Sequence, residues 1–125
     1  MKAKENYVTG EVIDSCVKIH KILGPGLLES VYETVLAFEL RSRGFNVALQ
    51  VPVPVNYEGI RLEVGFRCDM IVNDLVIVEL KSVENVLPVH KKQLLTYLKL
   101  TGKRLGLLIN FNSELMKDGI FRIAN

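Results

Sequence analysis

The sequence predicts an α/β domain, with helices before and after a run of β-strands. Hydrophobic residues recur at helical spacing from Val12 to Leu23, the pattern changes to alternation after Gly44, and helical spacing returns after Pro88. With 125 residues the chain has room for one hydrophobic core. We therefore expect residues 1–125 to form a single domain.

Two helices begin the predicted order. Thr9 is expected to cap the first, which ends at Gly24-Pro25-Gly26 and has its apolar positions on one face: Val12, Cys16, Ile19 and Leu23. The second helix covers about residues 27–43, and Gly44 marks its C-terminal end. The chain thus enters its β region only after two consecutive helices.

Three strands follow the helices. The first, over residues 47–55, contains Pro52 and Pro54, so it is expected at a sheet edge or at a bend. Glu58-Gly59 predicts a turn, after which residues 61–72 and 76–81 alternate as two further strands.

A third helix and two strands complete the chain. Pro88 suits the first turn of this helix, which ends near Gly102. A buried strand is expected over residues 105–111 and a short last strand over residues 120–123. The predicted order is ααβββαββ.

Composition excludes several classes of protein. Hydrophobic residues make up 49% of the chain and charged residues 24%, which is typical of a folded globular protein. The longest uncharged stretch, Gly44 to Tyr57, has 14 residues and two prolines, so we expect no membrane span and a cytoplasmic location. Cys16 and Cys68 belong to no Cys/His cluster and are expected to be buried thiols.

Basic residues concentrate in the last third of the chain. Residues 85–125 contain seven Lys or Arg against two Asp or Glu, whereas residues 1–84 contain nine against twelve. Lys91, Lys92 and Lys99 lie on the third helix. They fit a phosphate-binding surface or, equally well, a solvated helix face.

The hairpin of residues 61–81 has a predictable register. The first strand has one apolar row, which consists of Leu62, Val64, Phe66, Cys68, Met70 and Val72, and the second has Val76, Val78 and Leu80. Both rows enter one core only if residue 70 faces residue 78, which requires a three-residue loop, Asn73-Asp74-Leu75, or an equivalent bulge. In this register Asp69 lies opposite Glu79, and Arg67 lies opposite Lys81. Val78 and Leu80 then point into the opposite core layer, away from a cavity shared by Asp69, Glu79 and Lys81.

Two opposed carboxylates repel each other unless a positive charge lies between them. Magnesium or manganese would supply that charge, since both bind carboxylate oxygens, and Lys81 would lie beside the pair. The alternative is an exposed sheet face of mixed charge, on which Arg67 and Lys81 neutralise Asp69 and Glu79.

Helical side chains extend this candidate site. Glu29 lies beside Tyr32 at the margin of the apolar stripe of the second helix, a position that directs its side chain towards the sheet. The alternative is that Glu29, in the first turn, only complements the helix dipole. On the third helix one stripe consists of His90, Gln93, Leu94, Tyr97 and Thr101. Its polar side chains are able to bind a ligand. The alternative is that Tyr97 lies in the core and Gln93 at the surface.

Several features, taken in order, resemble the RecB-like branch of the PD-(D/E)XK nuclease superfamily. They are Asp69, the run Glu79-Leu80-Lys81, and Gln93 with Tyr97 on the next helix. The run from Gly26 to Tyr32, GLLESVY, is similar to the signature of the GxxExxY proteins, a single-domain family of that superfamily. The surrounding runs are similar to it as well, so His20 and Tyr32 are auxiliary candidates.

The resemblance implies a restriction-endonuclease-like core, with a mixed central β-sheet flanked by helices, and a magnesium-dependent phosphodiester hydrolase. Asp69 and Glu79 would be metal ligands with the Leu80 carbonyl, Lys81 the catalytic lysine, and Glu29 an auxiliary catalytic acid. Gln93 and Tyr97 of the third helix would contact metal-bound water or nucleic acid. Four further residues of that helix are candidates for nucleic-acid binding: His90, Lys91, Lys92 and Lys99. Cys68 stands where the motif's name has proline, a departure that changes no ligand.

Three functions follow from these residues. The first is a nuclease that cleaves DNA with Mg²⁺ or Mn²⁺, the second an inactive module that binds nucleic acid or a protein, and the third a phosphoesterase of small nucleotides. Asp69, Glu79 and Lys81 together favour the first over the second, and the basic helix favours a polymer over a nucleotide. The expected partner is nucleic acid, DNA in particular, and homo-oligomerisation is left open.

Overall fold

The computed structural model describes residues 2–63 and 65–125. Its helices are α1 (Lys2–Leu23), α2 (Glu29–Ser42) and α3 (Pro88–Thr101). Its strands are β1 (Val47–Pro52), β2 (Val55–Tyr57), β3 (Ile60–Leu62), β4 (Arg67–Val72), β5 (Val76–Lys81), β6 (Leu105–Asn110) and β7 (Ile120–Ala124). A 3₁₀ turn at Met116–Gly119 precedes β7.

Five of the strands form one mixed sheet in the order β1-β4-β5-β6-β7. Only β5 and β6 are parallel, because the chain passes through α3 between them, and the other neighbours are antiparallel. β2 and β3 form a separate hairpin. The predicted fold class, a mixed sheet flanked by helices, is confirmed and is consistent with a restriction-endonuclease-like core.

The helices cover both faces of the sheet, so hydrophobic side chains are buried in two layers. α1 and α2 pack on Met70, Val78 and Leu80. α3 packs on the other face, against Ile77 and Leu108. The prediction that Val78 and Leu80 point into the same core layer is therefore confirmed. This sandwich holds the ends of β4 and β5 between α2 and α3.

The loop between β4 and β5 has the predicted length and register. Met70 faces Val78 and Val72 faces Val76, which leaves residues 73–75 as the loop. Asn73 and Asp74 close it in left-handed backbone conformations, with φ angles of 52° and 54°. The loop therefore has the odd number of residues that brings residues 69 and 79 to the same side of the sheet.

Thr9 does not cap α1, because this helix begins seven residues earlier, at Lys2. The Thr9 hydroxyl instead donates a hydrogen bond of 3.0 Å to the carbonyl of Asn6, within the helix. The segment Lys2 to Glu5 consists of good helix formers, which extend the helix without that cap.

The strand predicted over residues 61–72 is two strands, β3 and β4. Gly65, with a φ of +79°, turns the chain between them. Val64, expected in the same apolar row, lies outside the described residues. Similarly, the strand expected over residues 47–55 ends at Pro52, and as β1 it forms an edge of the sheet.

Cys16 and Cys68 are buried and unbonded to each other, as expected. Cys68 contacts the α3 layer instead of the Met70 layer, which corrects the expectation that residues 68 and 70 share one apolar row. Of the helices in residues 2–63 and 65–125, none has the length and apolar character needed to cross a membrane.

Candidate active site

β4 and β5 separate at Asp69 and Glu79. Their regular pairing ends at Met70 and Val78, which are the sequence neighbours of Asp69 and Glu79. Each carboxylate then accepts a backbone hydrogen bond from the other strand. The Asp69 N–H donates to Glu79 Oε2 at 2.6 Å, and the Leu80 N–H donates to Asp69 Oδ2 at 2.9 Å. Hydrogen bonds from backbone N–H groups to the two acid side chains therefore replace the backbone pairing where the strands diverge.

The surroundings of both carboxyl groups, those of Asp69 and Glu79, disfavour the ionised form. Glu79 is only 5% exposed, and burial, with the nearby Asp69 charge as a second cause, raises its pKa to about 8. Burial also raises the pKa of Asp69, and the Glu29 charge adds to that rise. The positive charge of Lys81 acts in the opposite direction on the pKa of both acids.

These contacts decide against the alternative of an exposed face of mixed charge. Glu79 is buried, so it is not a surface group. Of the ion pairs among the described residues, none includes Arg67 or Lys81. Lys81 is close enough to influence both acids electrostatically without forming an ion pair with either.

The raised pKa of Glu79 predicts that the protein, free of metal, loses stability as the pH rises. Between the ordinary value of 4.5 and the folded value of about 8, the folded state keeps a proton that the unfolded chain has released. Urea denaturation should show a free energy of unfolding that falls by up to about 1.4 kcal/mol per pH unit from this group.

Glu79→Gln should flatten this pH dependence, because glutamine keeps an oxygen acceptor for the Asp69 N–H and does not titrate. A slope identical in both proteins between pH 5 and pH 8 would contradict the prediction.

A cavity of about 260 Å³ lies beside Asp69, between α2 and the sheet. Its lining residues are Glu29, Ser30, Glu33, Gln50, Asp69 and Leu80. Glu79 and Lys81 are not among them, so this cavity is not one that Asp69 shares with those two residues. The reason is that the Glu79 carboxylate turns inwards to the Asp69 N–H.

The described residues contain no preformed group of three His, Cys, Asp or Glu side chains that could hold a metal ion. Asp69 and Glu79 each direct an oxygen to a backbone N–H. The second oxygen of each carboxylate takes no part in these two hydrogen bonds.

Glu29 approaches this site from the first turn of α2, as predicted. It lines the same cavity as Asp69, and its Oε2 accepts a hydrogen bond of 3.3 Å from the Ser82 N–H. The Ser82 hydroxyl donates to the Leu27 carbonyl at 2.7 Å. The loop after β5 is therefore tied to the start of α2.

His20 and Tyr32 shape the α1–α2 connection and do not contact the acids. The Tyr32 hydroxyl donates to the Gly24 carbonyl and accepts from the Leu27 N–H, while its ring stacks on Phe111 at 4.3 Å between centroids. His20 Nε2 lies 2.8 Å from the Ser113 carbonyl oxygen. Between these anchors Gly26, with a φ of +100°, turns the chain towards Glu29.

Of the side chains expected to act from α3, Tyr97 is the one placed next to the acids. It is buried, and burial together with the charges of Glu79 and Asp69 raises its pKa. Gln93 is exposed. His90 Nδ1 accepts from the Leu87 N–H at 3.0 Å, so its ring caps the helix start.

The three lysines of α3 do not form one cluster of free charges. Lys91 Nζ lies 4.2 Å from the centre of the Phe121 ring on β7, which holds it at the far edge of the sheet. Lys92 and Lys99 are exposed. These two remain available to contact phosphate.

Three residues near the site were missed by the sequence reasoning. Glu33 and Gln50 line the Asp69 cavity, and buried Asn110 holds the loop after β5 through the N–H and the carbonyl of Val83. Glu33 had a detectable signal, because it follows Glu29 by one helical turn. Gln50 and Asn110 had none, since their contacts join distant parts of the chain.

The model of one protein family, described as the PD-(D/E)XK nuclease superfamily, matches residues 6–123. The chain belongs to the PD-(D/E)XK nuclease superfamily. Searches of curated proteins and of solved structures returned no match. Membership suggests a nuclease-type function and nucleic-acid binding, and PD-(D/E)XK nucleases typically use divalent metals.

Proposed function

We propose that this protein is a divalent-metal-dependent nuclease that hydrolyses phosphodiester bonds of DNA. One observation carries the proposal: β4 and β5 separate where Asp69 and Glu79 face each other, with Lys81 close to both and ion-paired to neither among the described residues. A fold gains no stability from burying two acids side by side, so the arrangement favours a chemical role.

The donor set fits Mg²⁺ or Mn²⁺. Carboxylate oxygens of Asp69 and Glu79 and the carbonyl of Leu80 are hard oxygen ligands, and both acids have raised pKa values that a cation would reverse. A bound cation would supply Lewis acidity and lower the pKa of nearby water.

The chain's own residues would orient the reaction. The Lys81 ammonium would stabilise negative charge on the phosphate or orient the attacking water. Glu29, fixed by the Ser82 N–H, would keep a carboxylate beside Asp69. Tyr97 would contact water or nucleic acid through its hydroxyl from the α3 side.

Finer assignments belong to the same proposal. We infer membership of the GxxExxY family and the RecB-like branch from the run containing Gly26, Glu29 and Tyr32. Gln93, Lys92 and Lys99 would contact the nucleic acid, and residues 1–125 would act as one cytoplasmic domain, alone or as a homo-oligomer.

A binding module without activity is the second candidate. It is favoured by two observations: both carboxylates bind backbone N–H groups, and the described residues contain no preformed three-ligand metal group. Such a module would bind nucleic acid or a protein without cleaving it.

An assay of cleavage with circular and linear substrates, each single- and double-stranded, tests the proposal. The purified protein should cleave DNA with Mg²⁺ or Mn²⁺, and removal of metal with EDTA should stop the reaction because the acids alone cannot neutralise the phosphate. RNA substrates in parallel would show whether DNA is preferred. Absence of cleavage with either metal would contradict the nuclease.

Binding measurements distinguish the second candidate. In a protein that binds without cleaving, Lys92→Ala with Lys99→Ala should weaken nucleic-acid affinity and reduce the slope of log K against log salt by about one to two. Lys91→Ala should have the smaller effect, because Lys91 already contacts Phe121.

A further inference from the structure

Gln50 has an unusual backbone conformation for a residue within a strand. Its φ of +50° lies in the left-handed region, which residues other than glycine and asparagine rarely adopt. Gln50 is also exposed, so packing of its side chain in the core does not stabilise this conformation. Such strained residues persist where surrounding contacts hold them and often lie at functional sites.

Gln50 lies on β1 at the position that faces Asp69. Leu49 pairs with Met70 and Val51 pairs with Cys68, but the pair between them, residues 50 and 69, is missing from the ladder. The left-handed backbone therefore interrupts the sheet beside the point where β4 leaves β5. Gln50 and Asp69 both line the cavity below α2.

The Gln50 side chain reaches across this cavity to α2. Its Nε2 donates a hydrogen bond of 2.8 Å to Glu33 Oε1, and its side chain also hydrogen-bonds Asp69, which acts to lower the pKa of that acid. Glu33 lines the cavity one helical turn after Glu29, so three acidic residues, Glu29, Glu33 and Asp69, contribute to its lining without forming a preformed metal-binding group. The amide holds Glu33 against the wall of the cavity without adding a positive charge that would oppose a cation.

We propose that Gln50 is a positioning residue of the active site, which uses its left-handed backbone to direct its amide to Glu33 and so fixes a further carboxylate beside Asp69. This inference rests on the proposed nuclease function and extends its site to β1 and to the second turn of α2. Glu33 is then a further acid of the site, and Gln50 acts through it.

Two substitutions at residue 50 separate its backbone role from its side-chain role. Gln50→Gly accepts the left-handed conformation without strain and removes the amide, so Tm of the metal-free protein should rise by about 2 °C or more while kcat falls about tenfold or more. Gln50→Asn also tolerates that backbone, but its shorter amide cannot reach Glu33. It should therefore lower kcat similarly.

Glu58→Gly is the matched control. Glu58 has a left-handed φ of 45°, is exposed, and lies in the turn of the β2–β3 hairpin outside the cavity. Its replacement by glycine should raise Tm as Gln50→Gly does and leave kcat unchanged.

A double-mutant cycle tests whether Gln50 acts through Glu33. In a Glu33→Ala background, Gln50→Gly should lower kcat by clearly less than it does in the wild type, because the contact with Glu33 is already gone and only the hydrogen bond of the Gln50 side chain to Asp69 is left to lose. A residue with a purely structural role would give additive losses instead.

Calorimetric titration with Mg²⁺ gives a readout that needs no substrate. Loss of the amide should weaken Mg²⁺ binding at least about fivefold in both variants of residue 50. Wild-type protein that binds Mg²⁺ but cleaves nothing would contradict the nuclease alone. Variants that match wild type in Mg²⁺ affinity, or that lower kcat additively with Glu33→Ala, would overturn the role of Gln50.

Discussion

Replacing Asp69 by Asn should lower the rate of metal-dependent cleavage by about three orders of magnitude or more, with the fold intact. The fold should survive because asparagine keeps an oxygen that accepts from the Leu80 N–H. The activity should not, because the neutral amide cannot supply the negative charge that holds a divalent cation. Single-turnover kinetics with and without Mg²⁺, with circular dichroism for the fold, measure both effects.

Lys81→Ala should lower the same rate by about two to three orders of magnitude without weakening Mg²⁺ binding. Lys81 is a positive neighbour of both acids, so its removal takes away charge stabilisation of the phosphate but no metal ligand. This separates the role of the lysine from that of the carboxylates, whose loss should abolish Mg²⁺ binding as well.

Asp74→Asn provides the matched control for Asp69→Asn. It makes the same chemical change in the loop at the opposite end of β4, where the Asp74 side chain is 93% exposed and pairs with Lys103. We expect wild-type cleavage from this variant. Full activity in Asp69→Asn would show that the observed cleavage does not come from this site.

The register around Asp69 could be predicted because side-chain alternation leaves little freedom. Two apolar rows that must enter one core demand an odd loop between Val72 and Val76, and the structure has three loop residues there. Glu29 was predictable for a similar reason, since helical spacing places it on the side of Tyr32 that meets the sheet.

Other features of the site depend on contacts that periodicity does not report. Gln50 belongs to an alternating strand pattern, and nothing in that pattern indicates a left-handed backbone. Alternation also suggested that Glu79 opens into a cavity, but it could not show that strand separation frees the Asp69 N–H to bind the Glu79 carboxylate. The glycine at position 65 alone suggests an interruption of the strand predicted over residues 61–72. The left-handed backbone that turns the chain between β3 and β4 is visible only in the fold.

Asn110 illustrates how a buried polar residue supports the site from a distance. It is 3% exposed at the end of β6, next to Lys81 on β5. Its Oδ1 accepts from the N–H groups of Val83 and Asn112, and its Nδ2 donates to the Val83 carbonyl. These bonds fix the loop after β5 at Val83. The residue before Val83 is Ser82, whose N–H donates a hydrogen bond to Glu29.

Asn110→Ala should therefore lower the free energy of unfolding by about 2–4 kcal/mol, because three backbone groups lose their partners together. Asn112→Ala is the control, since only the backbone N–H of Asn112 takes part in this network. It should change stability by less than about 1 kcal/mol. Urea denaturation of both variants measures the difference.

Asn110→Asp should show that the amide donor matters separately from the acceptor. Aspartate keeps an oxygen for the two N–H groups but, when ionised, has no hydrogen for the Val83 carbonyl and brings a charge into a buried position. Its stability should approach that of wild type as the pH falls, because a protonated carboxyl can donate again. The destabilised forms should also cleave more slowly, since Ser82 no longer holds Glu29 in place. Equal stability of Asn110→Asp and wild type at pH 8 would show that this amide does not support the loop.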